Sequence, residues 1–141
     1  MNIENILTKL EKVESRGAER WIARCPAHED RSPSLAIKIS ESGEQVLLHC
    51  FAGCSVEQIL DSINAEWADI MPQSKPTGYK HKKSFFPASD VLACLEHELL
   101  VCLLVAQQMV DGESIDSEDK ERLALAVQRI DEARRLSSAN H

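Results

Sequence analysis

Two short motifs hold the residues best suited to chemistry. Cys25-Pro26-Ala27-His28 and Cys50-Phe51-Ala52-Gly53-Cys54 together form a C-x2-H-x21-C-x3-C array. Three thiolates and one imidazole suit Zn²⁺, and two tight pairs set at turns can converge on one tetrahedral ion, about 2.0 to 2.3 Å from each donor. Four protein ligands leave no position for water, so the array predicts one structural zinc bound by Cys25, His28, Cys50 and Cys54, not a catalytic one. His49 adjoins Cys50 and is a rival ligand. Neighbouring strand residues point to opposite faces, so only one of the two faces the ion, and the spacing to Cys54 favours Cys50. The five cysteines are an odd number, and in a reducing compartment they read as metal ligands or buried thiols, not disulfides. Cys94 and Cys102, eight apart on one predicted helix, are too far apart to share an ion and read as core thiols.

The elements that position these motifs are legible in the hydrophobic pattern. Ile3, Ile6, Leu7, Leu10 and Val13 recur at helical steps, predicting a helix that ends near Gly17. Three β segments follow, at 20–25, 34–40 and 45–50, the last two joined by a turn containing Gly43. Ser55 with Gln58 fits a capping box, with Val56, Ile59, Leu60 and Ile63 as the apolar face of the helix it opens. Pro72, Pro76 and the basic stretch Tyr79 to Lys83 predict a linker at 73–87. Beyond it, Ser89 is read as the cap of a long helix reaching Gly112, with Leu92, Leu95, Leu99, Cys102, Leu103, Ala106 and Val110 as its stripe. Ser117 is read as the cap of a second, with Leu123, Ala126, Val127, Ile130 and Ala133 as its stripe. The fold class expected is α+β: a small antiparallel zinc ribbon flanked by short helices over 1–72, then an acidic helical hairpin over 88–141.

The segment from Trp21 through Leu35, continuing in Val46-Leu47-Leu48-His49-Cys50-Phe51-Ala52-Gly53-Cys54, resembles the Cys-His-Cys-Cys zinc ribbon of DNA primases, especially phage, prophage and plasmid versions. The likeness extends through Ile59-Leu60 to Trp67-Ala68-Asp69-Ile70-Met71-Pro72, about the first half of the chain. In that family the ribbon recognises single-stranded template DNA while a separate polymerase domain, often of TOPRIM type, joins the nucleotides. The resemblance implies the same four zinc ligands. It departs from complete primases in lacking both the Glu-Gly and the Asp-x-Asp patterns of a TOPRIM centre, and no G-x-x-x-x-G-K-[ST] phosphate loop is present. A free-standing module, not an enzyme by itself, is therefore expected.

Charge is divided unevenly. The net of −7 argues against non-specific grip on nucleic acid. Residues 1–86 carry 11 Lys and Arg against 12 Asp and Glu, a net of −1, whereas residues 87–141 carry 5 against 11, a net of −6. Arg20, Arg24, Arg31, Lys38 and His49 lie on or beside the ribbon as candidate DNA contacts, and Lys80, Lys82 and Lys83 interleave with rings as a second phosphate contact. Trp21 and Phe51 read as core around the metal before they read as stacking platforms. His97 and Glu98 read as the polar edge of their helix, not as catalytic residues. The expected partners are single-stranded DNA and a replication protein such as a separate primase or helicase subunit, with a homo-oligomer through 88–136. The alternative is a zinc-stabilised interaction or regulatory module acting on a host or phage protein. The apolar run Leu99 to Ala106 is far shorter than the roughly 18 to 20 residues of a membrane span. The first residues lack a signal peptide's basic and apolar regions, so a cytoplasmic location is expected.

Overall fold

Strict alternation of side chains along three strands decides the architecture, because it gives one sheet two apolar faces that both need covering. The computed structural model describes residues 3–71 and 86–137. Strands β1 (Glu14–Gly17), β2 (Arg20–Ala23), β3 (Leu35–Ile39) and β4 (Val46–Cys50) form an antiparallel meander in the order β1-β2-β3-β4. Ala23, Leu35, Ile37, Val46, Leu48 and Cys50 face one side. There they meet Ile6 of α1 (Ile3–Leu7), Ile59 and Leu60 of α2 (Val56–Ser62) and Ile70 of α3 (Trp67–Ile70). Ile22, Ala36 and Phe51 face the other side, against Val91 and Cys94 of α4 (Ala88–Cys94), Leu95, and Ala133 of α6 (Ser117–Ser137). The helix α5 (Glu96–Val110) lies along α6. The sheet is thus sandwiched between an N-terminal and a C-terminal layer of helices, and the fold is α+β as the sequence predicts. Among the described residues no helix is long and apolar enough to cross a membrane.

An ion-pair group ties the C-terminal layer to the strands. Asp90 is only 3% exposed and meets Arg20 Nη1 at 3.0 Å and Arg16 Nε at 3.6 Å. Arg20 also donates through Nη2 to the Arg16 carbonyl at 2.9 Å, so its guanidinium is held at both ends. Its path runs over Gly17, where an added Cβ would stand 2.7 Å from Arg20 Nη2 at a φ of +138°.

Gly17 therefore serves a strand turn and not a helix stop, which corrects the first predicted helix. That helix ends at Leu7, and Lys12 takes a positive φ of 49° before β1 begins. Glu14-Ser15-Arg16-Gly17 is polar and mostly exposed, so no period-2 signal marks it as a strand; it forms because it pairs with β2 at the sheet edge. The long helix expected from Ser89 to Gly112 is also two helices. Leu95, at φ −98° and ψ 1°, breaks it, and Pro87 stands at the start of α4 while the Ser89 hydroxyl donates to Asp90 Oδ1. Asp116 replaces Ser117 as the cap of α6, its Oδ1 accepting the Asp119 N–H at 2.8 Å. The Ser55–Gln58 capping box forms in both directions as predicted. The expected linker at 73–87 lies, apart from Phe86 and Pro87, outside the described residues.

Ala36, 1% exposed, faces the C-terminal helices across the sheet. Ala36→Leu is expected to overpack this contact and lower stability by about 1–3 kcal/mol in chemical denaturation, while leaving metal content per chain unchanged.

Candidate metal centre

Register brings the two motifs together. Leu35 pairs with Ala23 on one side and with Cys50 on the other, so the chain leaving β2 and the chain leaving β4 turn at the same end of the sheet. Backbone bonds fix the two departures: Ser34 N–H to the Ala23 carbonyl at 3.2 Å, and Phe51 N–H to the Ser34 carbonyl at 2.9 Å. The Gly53 N–H then closes a turn onto the Cys50 carbonyl at 3.1 Å, with Gly53 at a φ of +97°, presenting Cys54 beside Cys50.

One donor atom from each of Cys25, His28, Cys50 and Cys54 lies within 4.8 Å of the other three. His28 Nδ1 stands 3.2 Å from Cys54 Sγ and 3.8 Å from Cys50 Sγ. A tetrahedral ion with bonds of about 2.0–2.3 Å requires ligand-to-ligand edges of roughly 3.3–3.8 Å, so the donor set fits a single metal ion. His49 turns to the opposite face, 4.6 Å from the Phe51 ring centroid and 6.0 Å from that of Phe86. Burial holds its imidazole below the ordinary value.

A supporting layer, not anticipated from the sequence, orients these ligands. Asp30 Oδ2 accepts from the Cys25 N–H at 2.9 Å and from the Ser34 hydroxyl at 2.7 Å. Asp30 Oδ1 lies 3.7 Å from His28 Nε2, on the side of the ring away from the sulfurs. The Ser34 hydroxyl that Asp30 holds stands nearer, 3.5 Å from the same nitrogen, so the carboxylate supports the ligating imidazole through Ser34 and its own charge. Its sequence signal was available: a carboxylate two residues beyond the histidine of a C-x2-H turn. The Ala52 N–H donates to Cys50 Sγ at 3.4 Å.

The thiols are unequal. The Cys25 thiol's hydrogen bond, with help from the Ala52 and Cys54 backbone, brings Cys50 down to about 5. Cys25 is pushed up, first by that same bond and then by burial; Cys54 is pushed up by burial and by the charge on Cys50. Three sulfurs this close can all be thiolates only with a cation between them, which couples metal binding to proton release. Cys94, pushed up to about 12 mainly by burial, stays a protonated core thiol as expected.

The expected DNA contacts are scattered. Arg20 is held by Asp90. Arg24 bonds the Arg31 carbonyl at 3.3 Å and pairs with Glu11 at 3.8 Å. Lys38 is half-buried on β3 between Arg20 and Leu47. His49 belongs to the aromatic group described above, and Phe51, 5% exposed, is core as predicted, though not around the metal ligands: it packs on the other face of the sheet against α4 and α6. Trp21 packs half-buried against the first core. Arg31 is exposed, and Lys80, Lys82 and Lys83 lie outside the described residues. No family model, curated protein or solved structure matches the chain.

Glu98 corrects its reading as a polar helix edge. It is 6% exposed and takes Arg122 Nη1 on Oε2 at 2.8 Å and Arg129 Nη1 on Oε1 at 2.7 Å. This triad and His97 form one wall of a cleft of about 280 Å³ whose other wall includes His28, Asp30 and Phe51 of the metal end. Burial raises the Glu98 carboxyl, but the hydrogen bonds and charges of the two arginines outweigh it and hold the group below its ordinary value of 4.5.

Two outcomes follow from this geometry. Asp30→Asn should weaken metal affinity about 10- to 100-fold, measured by competition with a chromophoric chelator. Glu98, with a folded value below the unfolded one, adds stability that is present above about pH 4.5 and is lost as pH falls through the depressed value. Glu98→Gln should therefore cost about 1.5–3 kcal/mol at pH 7 and flatten the acid limb of a stability-against-pH curve.

Proposed function

We propose that this chain is a primase-type zinc-ribbon module that binds one structural Zn²⁺ and contributes single-stranded template recognition to a replication complex of a mobile element. The convergence of Cys25, His28, Cys50 and Cys54 at one end of an antiparallel ribbon carries this reading. Three sulfurs and an imidazole are the donor set of structural zinc, and the four fill the coordination sphere. The ion closes the two turns and supplies binding energy to a sheet with small cores on each face. The resemblance to primase ribbons supports the template role, with exposed Arg31 and the basic segment 80–83 as its contacts. Joining of nucleotides falls to a partner protein.

A second reading is favoured by a specific observation. Arg20 and Arg24 both meet carboxylates, so two of the cations expected to reach phosphates are already engaged within the chain. On that reading the module retains zinc but binds a protein.

Metal analysis is expected to give one zinc per chain, and Cys50→Ser to remove it and lower the thermal midpoint. Single-stranded DNA should bind weakly at low salt, with log affinity falling by about 0.7 per phosphate contact per decade of salt. Arg31→Ala combined with alanine at Lys80, Lys82 and Lys83 should reduce that binding without changing zinc content. Zinc-loaded protein that shows no DNA binding at low salt overturns the template reading in favour of the second.

A further inference from the structure

The outward face of α5 is apolar and, among the described residues, uncovered. Val105 is 6% exposed on the side that meets α6, yet Leu100, Leu103, Leu104 and Val110 are 47%, 64%, 57% and 80% exposed, and Leu99 is 37% exposed. This corrects the predicted stripe: Leu99, Leu103 and Val110 were expected to face the core, but the core side belongs to Glu98 and Val105. A helical stretch that is apolar all round, as Leu99 to Ala106 is, is normally buried all round, and α5 is buried on one side only.

We propose that a second copy of this chain covers the face, α5 packing against α5. Three observations favour that occupant. First, Leu99, Leu103, Ala106 and Val110 are spaced 4-3-4, the seam width that accepts one helix. Second, residues 99–110 contain no charged side chain, although the chain carries a net of −7. Two acidic copies can meet here without opposing carboxylates, whereas a partner chosen by charge would find nothing to read. Third, these exposed side chains present apolar surface on the order of 500 Å². That falls in the upper part of the range of the largest single patch a soluble monomer leaves bare, about 300–600 Å², and patches of that size are often interaction sites. Two such faces remove about 1,000 Å² from water, the area at which a specific interface becomes sustainable.

This inference is independent of DNA binding, and its test does not use DNA. Sedimentation equilibrium of the zinc-loaded full chain at about 10–100 μM should give twice the 15.8 kDa chain mass. Leu103→Glu with Val110→Glu should weaken self-association by at least about 100-fold, with helical circular dichroism and zinc content retained. Val127→Glu, at a 54% exposed site on α6, should leave the dimer intact. If the glutamate pair unfolds the chain, the milder Leu103→Gln with Val110→Thr takes its place and should still weaken the dimer. A wild-type chain that is monomeric throughout this range, or a folded α5 variant that dimerises as well as wild type, overturns the proposal.

Discussion

The register that aligns Ala23, Leu35 and Cys50 across three strands is the constraint on which the rest of the molecule depends. Slipping any one of these pairings by a residue would turn that strand's side chains to the opposite face. The same slip would move Cys25 or Cys50 away from the end of the sheet where the four donors meet. Metal geometry and hydrophobic alternation therefore select a single register. Ser34 serves both, since its backbone joins the two outgoing chains and its hydroxyl reaches Asp30 behind the histidine.

Much of this was legible in the residues because the signals were local. The ligand set, the strands bearing Leu35, Ile37 and Ile39 or Val46 and Leu48, and the Ser55–Gln58 box each depend on spacing within a few positions. What could not be read was decided by tertiary contact. Glu14 to Gly17 has no alternation and becomes a strand only because β2 offers it a partner. The break at Leu95 has neither Gly nor Pro to announce it. In α5 every position from Leu99 to Ala106 is apolar, so periodicity could not say which side faces α6; buried Glu98, with two arginines waiting on α6, fixes the rotation.

Charge has a different role in each half. At the cluster of Cys25, His28, Cys50 and Cys54 it falls on sulfur, and a cation bound there would let all three thiols ionise. In the C-terminal layer it is already balanced, with Asp90 between Arg16 and Arg20 against the sheet and Glu98 of α5 between Arg122 and Arg129 of α6. Each carboxylate is buried, so each carries a desolvation cost that its own pair of arginines offsets, with the Ser89 hydroxyl also serving Asp90. The acidic surplus of residues 87–141 therefore overstates the repulsion within this layer, because its two buried acids are matched by cations where they sit.

Phe51 links the two cores through a single residue. Its backbone lies between the ligands Cys50 and Cys54, while its ring packs with Phe86 and the residues of α4 and α6 beyond the sheet. Anything that holds the Cys50–Cys54 turn in place also holds the ring on which the C-terminal layer rests. Occupancy of the metal centre is thereby linked to the opening equilibrium of helices that contribute none of its ligands. Amide exchange in α4 becomes a distant gauge of the ion.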